Sequence, residues 1–340
     1  MTNWAIQKFN IPSAWKANDY SEKDSFAVDL QPYHIDALEE QLSRFKKPGN
    51  NHKDINVKTF PLSGIAPDIA SWRNIVREKR GMIMLRGIPV GRIPIDDLRL
   101  MYLGLGSHFG RPVSQSNMGD LVGDVINIGD KDRNERAYRN SRELTPHTDR
   151  ADHIGMLCIR PAISGGCSRY ASAITIHNIM LEERPDLLSH LYDGYYLHRF
   201  GEQPPEEPPV TTERIPVFSV AENVPSTIFI RGYIDLAVEE GHVSLTASEL
   251  EALDYFEELS NRPDIRIDIM MEPGELLFVN NCLILHSRTA FDDSDDPAFR
   301  RHLLRLWLRE DDRPASKGAL LHKGKAGIEK QVGKGTYYAR

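Results

Sequence analysis

The segment Pro146-His147-Thr148-Asp149 places an imidazole and a carboxylate two residues apart. On a strand, residues i and i+2 face the same side, so both can reach one ion. A second histidine from a neighbouring strand would complete a two-histidine, one-carboxylate set, which leaves positions on Fe(II) open for a co-substrate and O₂. Among 12 histidines, His286 is the strongest nominee, because it closes the apolar run Leu283-Ile284-Leu285 that follows a Pro-Gly turn and a strand over Leu276–Val279. That placement predicts a ligand at the mouth of a barrel rather than inside its packing. Fifteen residues beyond His286 begins Arg301-His302-Leu303-Leu304-Arg305-Leu306-Trp307-Leu308, a strand pattern with two arginines on one face. A buried guanidinium needs a carboxylate or costs several kcal/mol. A bound dicarboxylic acid would supply one, bidentate and charge-assisted; Asp292, Asp293 and Asp295 are the chain's own alternatives.

Other residues carry weaker chemistry. His153 would lie about 13 Å beyond Asp149 along a strand at ~3.3 Å per residue, which suits a core histidine better than a ligand. Arg288 is expected to pair with the acidic loop after it, although it could face substrate. Arg231 reads as a surface arginine with a substrate anion as the alternative. Gly104-Leu105-Gly106 lies inside a helical stretch and is no dinucleotide fingerprint, and the chain has neither a Walker A nor a GxSxG motif. Three scattered cysteines, Cys158, Cys167 and Cys282, form no disulfide framework and no CxxC motif, and read as small hydrophobes in a reducing cytosol.

The elements that must position these residues fall into two kinds. In the first third, helices are expected over His34–Phe45, Ile69–Lys79 and Asp96–Phe109, with a buried strand at Met82–Leu85. In the helix over Asp96–Phe109, Leu98, Met101, Leu105 and Phe109 form the apolar face. From residue 120 short strands dominate: Leu121–Ile128, Ile154–Arg160, Ser168–Ala173, Tyr195–Arg199, Pro216–Val220, Ser226–Ile230, Ile265–Met271, Leu276–Val279, Leu283–His286 and Leu303–Leu308. Helices interrupt them at Ile174–Glu183 and Thr246–Leu259. Thr246 and Glu249 make a capping box there, and Leu250, Leu253, Phe256 and Leu259 a core stripe. Many short strands over such a span predict a mainly β fold with flanking helices, closed as a jelly roll. The proline-rich segment Gly201–Pro216 is either a plain surface loop or a lid.

With 340 residues, 27% charged and a net charge of −7, the chain has the composition of a soluble globular protein and no footprint for nucleic acid or an anionic membrane. No run of apolar residues is long enough to span a bilayer and no secretory leader is evident, so a cytoplasmic protein is expected. The chain reads as one catalytic domain: an irregular and helical extension over 1–80, a core over 81–310 and a basic tail over 311–340. The tail is expected to be solvated, or to pack over a neighbour or the site.

The order His147-Thr148-Asp149, then Gly165-Gly166-Cys167-Ser168, His286 and Arg301-x-x-x-Arg305 resembles the taurine dioxygenase / 2,4-dichlorophenoxyacetate dioxygenase superfamily, to which clavaminate synthase is related. The stretch Gly81–Pro89 and the helix ending Ser107-His108-Phe109-Gly110 extend the likeness to most of the chain. The resemblance implies a double-stranded β-helix and a dioxygenase using Fe(II), 2-oxoglutarate and O₂. It implies iron at His147, Asp149 and His286, and 2-oxoglutarate at Ser168 and Arg301, with Arg305 as companion. Cys167 and Ser168 depart from the family's Asp and Thr, although a serine hydroxyl still donates. An acidic insert over 292–296 lengthens the His-to-Arg interval; Arg300 is the alternative clamp. Because the acidic ligand is present, hydroxylation, desaturation or cyclisation of a small molecule is expected rather than halogenation. An amino acid, a carboxylic acid or a natural-product intermediate would suit, with contacts from Leu121–Arg139, Gly201–Pro216 and the neighbourhood of Arg231. Two other readings remain open: a metal- or acid-binding barrel without turnover, and a zinc hydrolase with the same ligands.

Overall fold

The computed structural model describes residues 7–47, 49–127, 140–203, 206–324 and 326–330. In chain order the strands begin with β1 (Ala27–Asp29), β2 (Met82–Arg86), β3 (Arg111–Pro112), β4 (Val122–Ile126) and β5 (Leu144–His147). There follow β6 (His153–Arg160), β7 (Ser164–Gly165), β8 (Ser168–Ser172), β9 (Phe218–Ala221) and β10 (Val224–Thr227). The last five are β11 (Arg266–Ile269), β12 (Glu275–Asn280), β13 (Ile284–Arg288), β14 (Phe291–Asp292) and β15 (His302–Arg309). The helices are α1 (Pro32–Phe45), α2 (Ala66–Glu78), α3 (Ile95–Ser107), α4 (Ala173–Glu183), α5 (Pro185–Asp193), α6 (Arg231–Glu239), α7 (Ala247–Asn261) and α8 (Lys317–Lys323).

Two sheets face each other. The larger runs β1-β2-β12-β6-β15-β3, with β4 also on β15; the smaller runs β11-β8-β13-β5. Alternation along each strand decides what each face meets. Met82 and Met84 of β2 and Leu303 and Trp307 of β15 join Tyr170, Ile267 and Ile284 in the core between the sheets. Their neighbours Ile83, Leu85, Leu304, Leu306 and Leu308 turn outward beneath Leu38, Leu42, Trp72, Val76 and Leu105 of α1–α3. On the other side, Ala171 and Leu285 pack under Leu188, Leu253 and Phe256 of α5 and α7. The result is a double-stranded β-helix with helices covering both faces, as the strand pattern leads one to expect.

Several local expectations change. Tyr195–Arg199 makes no ladder. It forms single bridges, Tyr195 to Ile215 and His198 to Val210, because the facing stretch carries Pro208 and Pro209 and lacks their donors. The capping box of α7 forms, with Thr246 Oγ1 accepting from the Glu249 N–H at 3.2 Å, but Leu250 is exposed while Leu253, Phe256 and Leu259 are buried. Arg231 opens α6 rather than trailing a strand, since Ile234 and Ala237 three and six residues on give that segment a buried helical face. α5 and α8, both short, were not anticipated.

Candidate active site

β5 and β13 pair antiparallel with His147 directly opposite His286, and the two imidazole centroids lie 4.1 Å apart. Asp149 follows just past the end of β5. One ligand atom from each of His147, Asp149 and His286 lies within 4.8 Å of the others. His147 Nε2 is 4.0 Å from Asp149 Oδ1, and His286 Nε2 is 3.6 Å from Asp149 Oδ2. The Thr145 carbonyl lies 2.8 Å from His147 Nδ1. That contact places the proton on Nδ1 and leaves the Nε2 lone pair for a metal.

Backbone contacts hold this segment rigidly. Thr148 N–H donates to Phe229 O at 2.8 Å, and Phe229 N–H returns a bond to Thr148 Oγ1 at 2.9 Å. Asn281 accepts from the Asp149 N–H at 2.8 Å and donates to the carbonyls of Asp149 and Ala151. Asp149 Oδ2 accepts from Trp307 Nε1 at 2.8 Å and from Arg305 Nη1 at 3.2 Å, and Arg305 Nε donates to Gln115 Oε1 at 2.8 Å. Burial alone would raise the Asp149 carboxyl, but the Arg305 guanidinium, and then His286, outweigh it and hold the pKa well below the usual carboxylate range. Burial, reinforced by His286, pushes His147 down to about 3. The pocket therefore presents neutral imidazole and ionised carboxylate, the forms a divalent metal binds.

A second cluster lies next to these ligands, in the same space between the sheets. On β13, Arg288 sits two residues from His286 and so on the same face, and it pairs in register with Ser168 of β8. Ser168 is buried and lines a small crevice with Gly166 and Arg301. Gly166 has φ of 70°, and a Cβ there would meet Arg301 Nε at 3.2 Å, so the Gly-Gly turn lets the backbone approach the guanidinium. Arg301 is 3% and Arg288 5% exposed. Arg288 makes no ion pair with the acidic loop, contrary to expectation: its Nη2 donates to the carbonyls of Asn140 and Arg142. Among the described residues the Arg300 side chain donates to the carbonyls of Asn127, Ser294 and Asp295, whereas Arg301 is the arginine that turns inward beside Gly166 and Ser168.

With this geometry in place, the sequence profile of the taurine catabolism dioxygenase TauD, TfdA family matches residues 46–307. The chain belongs to this family. FR-33289 synthase from Streptomyces rubellomurinus is 28% identical over 88% of this chain and 90% of its own length. A taurine hydroxylase-like protein from Stachybotrys chartarum is 25% identical over 90% of this chain and 80% of its own. Among solved structures, asparagine oxygenase in complex with Fe(II), 2S,3S-3-hydroxyasparagine and succinate superposes with a TM-score of 0.64 at 18% identity, covering 83% of this chain and 93% of that one. The non-heme iron oxygenase OrfP with Fe and alpha-ketoglutaric acid gives 0.61 at 15%, covering 84% and 94%.

Several candidates of this TauD/TfdA-family chain lie apart from the three ligands. His153 is buried against Glu310, with Nε2 3.2 Å from Oε2. Arg231 is held by Asp235 and Asp254 on the helical side. His198, Glu240 and His242 also converge, but His198 Nδ1 accepts the Phe200 N–H, which puts the proton on the Nε2 that faces Glu240. That arrangement is a hydrogen bond, not a ligand set.

The region of Gly201–Pro216 does reach the site's flank. Glu202 pairs at 3.0 Å with Arg150, the residue after Asp149. The tail reaches it as well, for Arg150 Nε donates to His322 O at 2.8 Å, and Lys323 Nζ meets Asp152 Oδ1 at 2.7 Å. Arg150, His198, Thr211, Tyr233 and His322 line one cavity there. Residues 128–139 of the expected substrate-facing segment, and 331–340 of the tail, lie outside the described residues. Among the described residues no helix is long and apolar enough to cross a membrane. Sequence reasoning missed Trp307, Gln115 and Asn281; the inward phase of Arg301, Arg305 and Trp307 on one strand face was the signal for the first.

Proposed function

We propose that the chain is an Fe(II)- and 2-oxoglutarate-dependent oxygenase that hydroxylates, desaturates or cyclises a small molecule. The carrying observation is the convergence of His147, Asp149 and His286 with His147 Nε2 free of its proton. These residues fit a two-histidine, one-carboxylate iron centre, a set that leaves room for co-substrate and O₂. Iron with 2-oxoglutarate supplies the oxidising chemistry, in which the oxo acid is decarboxylated to succinate. The protein's part is orientation and shielding. Trp307 and Arg305 fix the Asp149 carboxylate, Thr145 fixes the His147 ring, and Arg301 with Ser168 receives the distal carboxylate of 2-oxoglutarate. Arg305, read from sequence as a companion in co-substrate binding, is better understood as a positioning residue for Asp149. Asparagine oxygenase and OrfP were solved with hydroxylated amino acids, which favours a small polar substrate, entering from the flank of Arg150, Tyr233 and His322.

Anaerobic titration of the apo-protein with Fe(II) and 2-oxoglutarate tests this reading. A visible charge-transfer band is expected, lost in His147→Ala, with succinate released once O₂ is admitted. Iron binding without the band, or hydrolysis with no succinate, would replace it by the non-catalytic or zinc reading.

A further inference from the structure

Arg301 accounts for one cation facing the co-substrate, but the structure buries two. Arg288 has neither a partner for Nε nor one for Nη1, and Arg301 has none for Nη1. No ion pair neutralises either guanidinium among the described residues. Both stack on the Phe291 ring, with Cζ 4.6 Å from the centroid for Arg288 and 5.2 Å for Arg301. Two unneutralised buried cations beside each other are costly, and among the described residues no carboxylate forms an ion pair with either. An anion brought from outside would repay the cost.

The register says which end of the co-substrate that anion belongs to. His286 pairs with Tyr170 and Arg288 with Ser168, so Arg288 and Ser168 lie one same-face step along the ladder from the iron ligand. That step is ~6.6 Å at ~3.3 Å per residue, on the scale of a five-carbon diacid chelated at one end. We propose that Arg288 and Arg301 form a two-guanidinium clamp on the distal carboxylate of the 2-oxo diacid, with Ser168 beneath it. The clamp rests on the proposed 2-oxoglutarate chemistry and goes beyond it in assigning a second cation, Arg288, to that carboxylate. Because Arg288 Nη2 also holds the Asn140 and Arg142 carbonyls, the clamp ties the co-substrate to the segment that leads into β5.

The test is anaerobic binding to the Fe(II) protein, read by the charge-transfer band, with 2-oxoglutarate and with pyruvate, which chelates iron but has no distal carboxylate. In Arg288→Gln, 2-oxoglutarate is expected to bind about 10- to 100-fold more weakly, the loss of a hydrogen bond to a charged group, while pyruvate binds as to the wild type. Arg288→Lys should show a smaller loss in the same direction, and it serves if the glutamine variant does not fold. Combining Arg288→Gln with Arg301→Gln should cost less than the sum of the two, since both act on one carboxylate. Unchanged 2-oxoglutarate affinity overturns the clamp. So does equal weakening of both oxo acids, which would mean that Arg288 only braces the 140–142 backbone. A wild type that gives no band with either acid removes the 2-oxoglutarate reading itself, and the clamp with it.

Discussion

At the scale of single residues, the Asp149 carboxylate is the most constrained group in the site. Its Oδ2 takes bonds from Trp307 and Arg305, and its backbone is gripped by Asn281. Groups that orient a metal ligand are worth about 10- to 100-fold in metal affinity or activity. Trp307→Phe keeps the ring and removes only the N–H, so a loss of about that size is expected in Fe(II) affinity measured by competition with a chelator. An unchanged affinity would mean that the indole is simply packing. Asn281→Ala should act differently, by loosening the turn that carries the ligand and lowering Tm as well. At this scale the three converging residues were legible in kind from an HxD and a histidine closing an apolar run, but not in placement, since His286 sits in the middle of β13 and Asp149 lies past the end of β5. Their supports were not legible: Gln115 reaches Arg305 from 190 positions away, and no local pattern announces a pairing that only sheet order creates.

At the scale of elements, the C-terminal helix α8 shows how a segment that reads as a solvated tail becomes structural. Ser316 caps it by accepting from the Ala319 N–H at 3.2 Å, and its last residue, Lys323, is 1% exposed. Lys323 meets Asp152, whose other oxygen pairs with Arg309 at 3.0 Å. Lys323 and then Arg309 drive the Asp152 carboxyl down against the upward push of its own burial. Removing one partner of a buried pair costs about 3–5 kcal/mol; Arg309 stays, so Lys323→Met is expected at or below the low end. Chemical denaturation would read that loss, and limited proteolysis should show the tail cut before the barrel. A variant as stable and as resistant as the wild type would mean that the ion pair contributes nothing to docking. The lysines of this tail suggested solvent because composition does not say where a charge finds its partner. By contrast, α1, α3, α7 and most strands were readable, since their apolar spacing repeats often enough to fix a face.

At the scale of the whole molecule, two sheets enclosed by helices leave some titratable groups far from water, and His177 of α4 is one that the site does not use. It is 0% exposed, with Nε2 2.8 Å from the Tyr192 hydroxyl, in a layer with Phe9 and Phe218. Burial pushes its pKa from 6.5 down to about 4. The unfolded chain therefore binds a proton that the folded one refuses between those two values. The native state is favoured fully above pH 6.5 and loses stability as the pH falls, by ~1.4 kcal/mol per unit and ~3 kcal/mol in all by the folded pKa. His147, depressed to about 3, adds the same sign in the metal-free protein, so the share of His177 must be isolated by substitution. Urea midpoints for His177→Phe and the wild type between pH 7 and 4.5 would do so. The variant starts less stable, because the Tyr192 hydroxyl loses its partner, yet its stability should fall less steeply with acid, and the two curves should converge. Parallel curves would mean that His177 takes up its proton without unfolding, and that the layer between α4 and β9 opens to water more readily than its packing implies.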